Sequence, residues 1–265
     1  MRIYQSNNFL MDLTRQVRKG ALLPAAFQRP YVWAKSDVMA LIESILLGYP
    51  IGGFLIWSPW GKADLAQVSR YRLGPIEGMD ETARVSLLLD GQNRLATLAL
   101  MGHDYALPVP DDLTEQEQAT WPADERLVAD LATQTIKYVP VGQEHDGFRM
   151  PAAALIHSAV SNVVFRKRWP EWSEMDEEKL DAGMKWFDKV SAAFQEARVV
   201  VTEISEATAE EAQHAFMHIC KVGVPMSEKD FAAAMAWATA APAPADPVIA
   251  DGNQELNNSN TKEAS

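Results

Sequence analysis

A single cysteine, Cys220, stands in the whole chain. One thiol cannot close an internal disulfide or supply a thiolate metal cluster, which excludes disulfide-stapled scaffolds and fits a reducing cytoplasm; Cys220 is read as a small buried hydrophobe. Long apolar runs are missing as well. None approaches the roughly 20 residues of a membrane span, so no membrane partner is expected. The start of the chain lacks an apolar signal core and a small-residue cleavage pattern, which argues against secretion and for a cytoplasmic protein. Histidine is sparse, at five residues. His103, His145 and His157 lie in separate segments. His214 and His218 are four apart, but Ala215 follows His214 where a zincin needs glutamate, and no third ligand is visible, so both are read as core or surface residues. Basic charge is also short, with 24 Lys and Arg against 36 Asp and Glu. A chain that lives on non-specific phosphate contacts is usually basic. The deficit is uneven: residues 1–110 carry 11 basic against 9 acidic residues, and the remainder 13 against 27. Any DNA contact is therefore expected in the N-terminal half or on a partner chain.

With 265 residues, 48% of them hydrophobic, the chain can bury a sizeable core. Helical periodicity is read over 7–19 (Phe9, Leu10, Leu13, Val17) and over a second helix capped by Ser36 and stopped by Gly48. Between them, residues 27–33 form an extended loop, because Pro30 keeps Arg29 out of helical geometry. Strands are read at 54–57, 68–73 and 84–89, the last ending in Leu87, Leu88 and Leu89, a run suited to burial on both faces. Asp90 and Gly91 break it, and Leu95, Leu98, Ala99 and Met101 resume at helical period. Residues 111–130 hold seven acidic residues against Arg126 and read as a solvated helix or loop. Then follow a strand at 136–141, helices at 152–169 and 177–197, a strand at 199–204, a helix opened by the capping box of Thr208 and Glu211, and a last helix capped by Ser227.

Chemistry concentrates at Asp90-Gly91-Gln92-Asn93-Arg94. A strand feeding a helix collects free backbone N–H groups at one point, and the helix dipole makes that point attractive to anions. Gly91 permits close approach, and Arg94 in the first turn can fork onto phosphate oxygens. Asp90 either holds a magnesium ion bridging phosphates or simply caps the helix; Gln92 offers donor and acceptor. The loop Phe27-Gln28-Arg29-Pro30-Tyr31-Val32-Trp33 sets polar residues between aromatics and adds Arg29 as a second phosphate contact, unless its rings only anchor the loop.

These segments, with Leu41-Ile42-Glu43-Ser44-Ile45-Leu46-Leu47-Gly48-Tyr49-Pro50-Ile51-Gly52 between them and the series from Phe216 through Cys220, Gly223 and Ser227 to Asp230 after them, resemble in order the motifs of the N-terminal domain of GmrSD-type restriction endonucleases. The resemblance covers residues 5–240 and implies an α+β fold of ParB/sulfiredoxin-like kind. In it, a small mixed sheet with flanking helices over 1–105 forms the nucleotide-binding core, 106–240 continue the domain mainly as helices, and 241–265 form a disordered tail. It implies binding and hydrolysis of a nucleoside triphosphate with magnesium, in a system that restricts modified phage DNA. By position, Asp90, Gly91, Gln92 and Arg94 match the Asp-Gly-Gln-x-Arg motif, and Gln28, Arg29 and Trp33 match the upstream one. On this reading Arg94 and Arg29 hold phosphates, Gly91 receives them, Asp90 handles magnesium and Gln92 orients water. Related sulfiredoxins carry a cysteine at the junction; its absence here excludes their redox chemistry. Three positions depart from the pattern. Asn93 replaces the usual second glutamine, Cys220 takes the place of an asparagine, and the Pro/Ala-rich tail stands where family members continue into an HNH-type nuclease. The expectation is a sensor acting with a separate nuclease subunit; the alternative is a catalytically silent module that binds DNA or a partner and recruits or inhibits a nuclease.

Overall fold

Leu87, Leu88 and Leu89 are all fully buried, which requires cover on both faces of the strand that carries them. The computed structural model describes residues 1–59, 67–69, 72–76, 84–103, 113–143, 148–157 and 176–221. The leucines belong to a five-stranded mixed sheet of β1 (Arg2–Phe9), β2 (Leu22–Pro24), β3 (Phe54–Ser58), β4 (Ser86–Asp90) and β8 (Arg198–Ser205), in the spatial order β1-β8-β3-β4-β2. β3 runs parallel to β8 and β2 parallel to β4, whereas β1–β8 and β3–β4 are antiparallel.

Period-two alternation divides the sheet's side chains between two cores. Phe54, Ile56, Leu88, Val199 and Val201 join the buried faces of α1 (Leu10–Arg18), α2 (Lys35–Leu46), α3 (Gln92–Met101) and α6 (Glu177–Glu196). On the other face Leu55, Trp57, Leu87, Leu89 and Ile204 meet Ala212 of α7 (Ala209–Lys221). Each fully buried leucine contributes roughly 1.5–3 kcal/mol. A second, antiparallel sheet of order β6-β5-β7 is built from β5 (Glu125–Asp130), β6 (Thr135–Pro140) and β7 (Arg149–Pro151). Its Leu127, Ala129, Ile136 and Met150 extend the larger core. The short helices α4 (Glu115–Thr120) and α5 (Ala153–Ile156) flank it in sequence. No helix among the described residues is long and apolar enough to cross a membrane.

The fold is α+β, as the sequence pattern indicates, but several elements differ from that reading. The helix expected from residue 7 starts at Leu10, and residues 2–9 form β1. Seven of the eight β1 residues are exposed, so no alternating apolar signal betrays the strand. Ala34, not Ser36, is the N-cap of α2; the Asp37 carboxylate accepts the Ala34 N–H at 2.8 Å and does the capping from inside the helix. The acidic stretch 111–130 is not merely solvated. Glu117 is buried because it closes a capping box with Thr114, and Asp130 is buried because it is paired. The helix expected over 152–169 ends after Ile156, where His157 turns extended; residues 158–169 lie outside the described residues. Val68 forms an isolated bridge with Ala25 rather than a strand, and residues 70 and 71 lie outside the described residues. After residue 105 the strands expected at 136–141 and 199–204 are present as β6 and β8, and β5 and β7 are strands that the sequence reading does not place. β5 to β7 make their own sheet, and β8 lies between β1 and β3, a pairing across some two hundred residues that no local pattern encodes. The Ser227-capped helix, the 241–265 tail and the side chain of Cys220 lie outside what is described.

Candidate anion site at the β4–α3 junction

Gly91 links β4 to α3 with φ +101°, a left-handed conformation that glycine adopts without penalty. A β-carbon there would lie 2.2 Å from Phe54 Cδ1, so packing as well as backbone geometry demands glycine. Gly91 is itself the N-cap of α3, and no side chain caps the helix among the described residues. Asp90 therefore does not serve as the cap; its side chain is 55% exposed and lies 3.4 Å from Arg94 Nη2. The amides of the first turn thus meet no side-chain acceptor among the described residues, at the end of the helix where the dipole favours negative charge. Gln92, in that turn, is only 6% exposed, yet neither its amide oxygen nor its amide nitrogen has a hydrogen-bond partner among the described residues.

The upstream motif lies against this junction. The Gln28 side chain donates a hydrogen bond to the Leu89 carbonyl, and the Val32 N–H donates to Asn93 Oδ1 at 3.3 Å. Buried Tyr31 shares a 2.8 Å hydrogen bond with Thr97 Oγ1, and burial pushes its phenol up to about 12. Residues 28, 31 and 32 are thereby tied to the end of β4 and two successive turns of α3. Arg29, between these ties, is exposed and has neither a hydrogen bond nor an ion pair among the described residues. Trp33 is half-buried against the main core, and its carbonyl accepts Gln116 Nε2 at 2.8 Å and Thr120 Oγ1 at 2.6 Å, which anchors the end of the loop to α4.

Arg94 is held from several sides. Its Nη1 donates to the Ile51 carbonyl at 2.6 Å, its Nη2 reaches Asp90, and the guanidinium lies over the Phe54 ring, 4.5 Å from the centroid. Burial lowers its pKa and the Asp90 charge works the other way. Gly52, at φ +84°, makes room for it: a β-carbon there would stand 2.6 Å from Nη1. Of the residues in this arrangement, Tyr31, Ile51 and Gly52 lie within the sequence motifs but receive no part in the site from them, and Phe54 and Thr97 are likewise assigned none. The adjacent Gly52 and Gly53 are the one signal that points to a close approach.

Among the described residues no three His, Cys, Asp or Glu side chains are grouped to hold a metal ion. Asp90 offers one half-exposed carboxylate, a donor set that suits a magnesium ion bound mainly by phosphate oxygens and water. His214 and His218 face each other edge-on, their ring centroids 5.0 Å apart, and both are exposed on α7. The later motif meets the upstream one through Phe216, whose ring centroid is 4.9 Å from that of Phe27; its residues from 222 onward lie outside the described residues.

None of the curated proteins compared matches the chain. The family model described as "GmrSD restriction endonuclease, N-terminal domain" matches residues 10–236, a span that contains the junction, the loop tied to it and the whole of the five-stranded sheet after β1. The match extends over well more than half of the sequence, and the chain belongs to the GmrSD restriction endonuclease N-terminal domain family.

Proposed function

We propose that the β4–α3 junction binds the phosphates of a nucleoside triphosphate together with magnesium, and that the chain is a nucleotide-hydrolysing sensor that couples this binding to a separate nuclease subunit. Membership of the GmrSD N-terminal domain family makes it a component of a restriction or phage-defence system. The observation that carries the nucleotide reading is the uncapped start of α3 with the buried, unpaired amide of Gln92 in its first turn. Leaving such a group without a partner costs about 1–3 kcal/mol, and a polar ligand offsets that cost.

Each residue then has a part consistent with its surroundings. Gly91 lets phosphate oxygens approach the amides of the first turn. Gln92 donates to or accepts from the ligand and the water beside it, and Asp90 supplies the protein's carboxylate to magnesium, which neutralises phosphate charge when bound. Arg29 and Arg94 are the two basic side chains of the junction and its loop, and positive charge beside the phosphates comes from this pair. Gln28 and Asn93 hold the loop on the junction through Leu89 and Val32. DNA contact is assigned to the N-terminal half, which carries the chain's small positive balance. A second reading, a catalytically silent module that recruits or inhibits a nuclease, is favoured by one feature. Asn93 stands where the family's second glutamine stands, with a side chain one methylene shorter, and its oxygen already accepts the Val32 N–H, which leaves less of the amide to orient a water. Calorimetric titration of the purified chain with ATP, GTP, CTP and UTP, with and without magnesium, tests binding; phosphate release separates the two readings. Saturable, magnesium-dependent binding of at least one triphosphate is expected. No heat with any of them refutes the nucleotide site, and binding without turnover leaves the silent module.

A further inference from the structure

We infer that the two arginines divide the work at this junction: Arg94 is a positioning residue that locks the loop before β3 onto the helix start, and Arg29 is the side chain that meets the ligand's phosphate. This rests on the anion-site reading above and assigns roles within it. Two arginines sixty-five positions apart would ordinarily be read as equivalent phosphate forks, but their surroundings are opposite in kind.

The Arg94 side chain is 16% exposed. One end of its guanidinium is spent on the Ile51 carbonyl at 2.6 Å, the other leans on Asp90 at 3.4 Å, and its face covers Phe54. Glycines bound its seat: β-carbons at Gly52 and Gly91 would lie 2.6 Å from Nη1 and 3.3 Å from Nη2. To fork onto a phosphate, Arg94 would have to leave a short, charge-assisted bond to a backbone carbonyl and expose Phe54. Held in place, the same side chain fixes three things a ligand needs: the path of residues 51–53, the Phe54 ring under Gly91, and the position of the Asp90 carboxylate. Arg29 has the converse setting. Its side chain is exposed and unpaired among the described residues, while its neighbours are tied to the junction on both sides by the Gln28–Leu89 and Val32–Asn93 hydrogen bonds. The backbone is fixed where charge is wanted and the charge itself is uncommitted.

The test uses ATP with magnesium as probe and measures affinity at several potassium chloride concentrations, together with thermal unfolding, for wild type, Arg29→Ala, Arg94→Ala, Arg94→Lys and Gly52→Ala. Removing a direct phosphate contact weakens binding about tenfold to a hundredfold and reduces the salt slope by about one ion. Arg29→Ala is expected to do both with Tm unchanged. Arg94→Ala and Arg94→Lys are expected to weaken binding and lower Tm while keeping the wild-type slope, because lysine keeps the charge but not the fork or the stacking. Gly52→Ala keeps the guanidinium and takes its seat, so it should lower affinity in the same way; it and Arg94→Lys carry the test if Arg94→Ala does not fold. A slope flattened by Arg94→Ala as by Arg29→Ala, wild-type affinity in Arg94→Lys, or unchanged affinity in either alanine variant overturns the division. Absence of ATP binding by the wild type is a different failure, seen in the first titration, and removes the anion site itself.

Discussion

Two regions of this chain each bury polar groups beside arginine, and they resolve the cost in opposite ways. In the β5–β7 sheet, the Asp130 carboxylate is 4% exposed and fully engaged: Lys137 Nζ at 2.8 Å, Arg149 Nε at 3.0 Å and the Thr133 N–H at 3.0 Å. Burial alone would raise its pKa, but the hydrogen bonds from Lys137, Thr133 and Arg149 outweigh burial and hold it at about 2. At the β4–α3 junction the buried Gln92 amide has no partner, the helix start has no cap and Arg29 has no counter-charge among the described residues. A network completed from within the fold serves stability, whereas one left open at a helix N-terminus fits a ligand.

If that contrast is right, the largest loss of stability should come from the closed network. Asp130→Ala leaves Arg149 and half-exposed Lys137 without their carboxylate and should cost about 3 kcal/mol in urea-induced unfolding, with triphosphate affinity of the folded protein unchanged. A cost below about 1 kcal/mol would mean that the network is ornamental. The same group sets an acid limit. Its folded pKa lies below the ordinary 3.8, so its contribution is full above that value and is lost as pH falls from about 4 toward 2. Unfolding midpoints followed from pH 6 to pH 2 should fall through this window in wild type and fall less in Asp130→Ala; parallel profiles would contradict the pairing.

How legible these regions are in the sequence follows from how local their causes are. The strand-to-helix junction is visible because Leu87, Leu88, Leu89 and then Asp90-Gly91 change hydrophobic pattern within a few residues. The loop at 27–33 is visible through Pro30, and the Thr208–Glu211 capping box through spacing alone; both its hydrogen bonds are present. The edge strand β1 is not visible, because an exposed strand needs no apolar alternation, and neither is the insertion of β8 between β1 and β3, whose partners are remote in sequence. At the site, motif order identifies Arg94 as important but not what it touches. Its seat is built by Ile51, Gly52 and Phe54, some forty residues upstream, and a separation of 61 positions hides that Gln28 and Asn93 bind each other's segments.

The smallest change in stability belongs to the open network, and it tests the central claim most directly. Gln92→Leu replaces an unpaired buried amide by an apolar side chain of similar size, which should leave the unliganded protein as stable as wild type or more stable by about 1 kcal/mol. Unfolding free energies of wild type and variant, each with and without saturating ATP and magnesium, give the answer in one experiment. Ligand should stabilise the wild type through preferential binding to the folded state and leave the variant unmoved. A variant that is clearly destabilised without ligand, or that ATP stabilises as much as wild type, would show that the Gln92 amide is part of the fold rather than of a binding site.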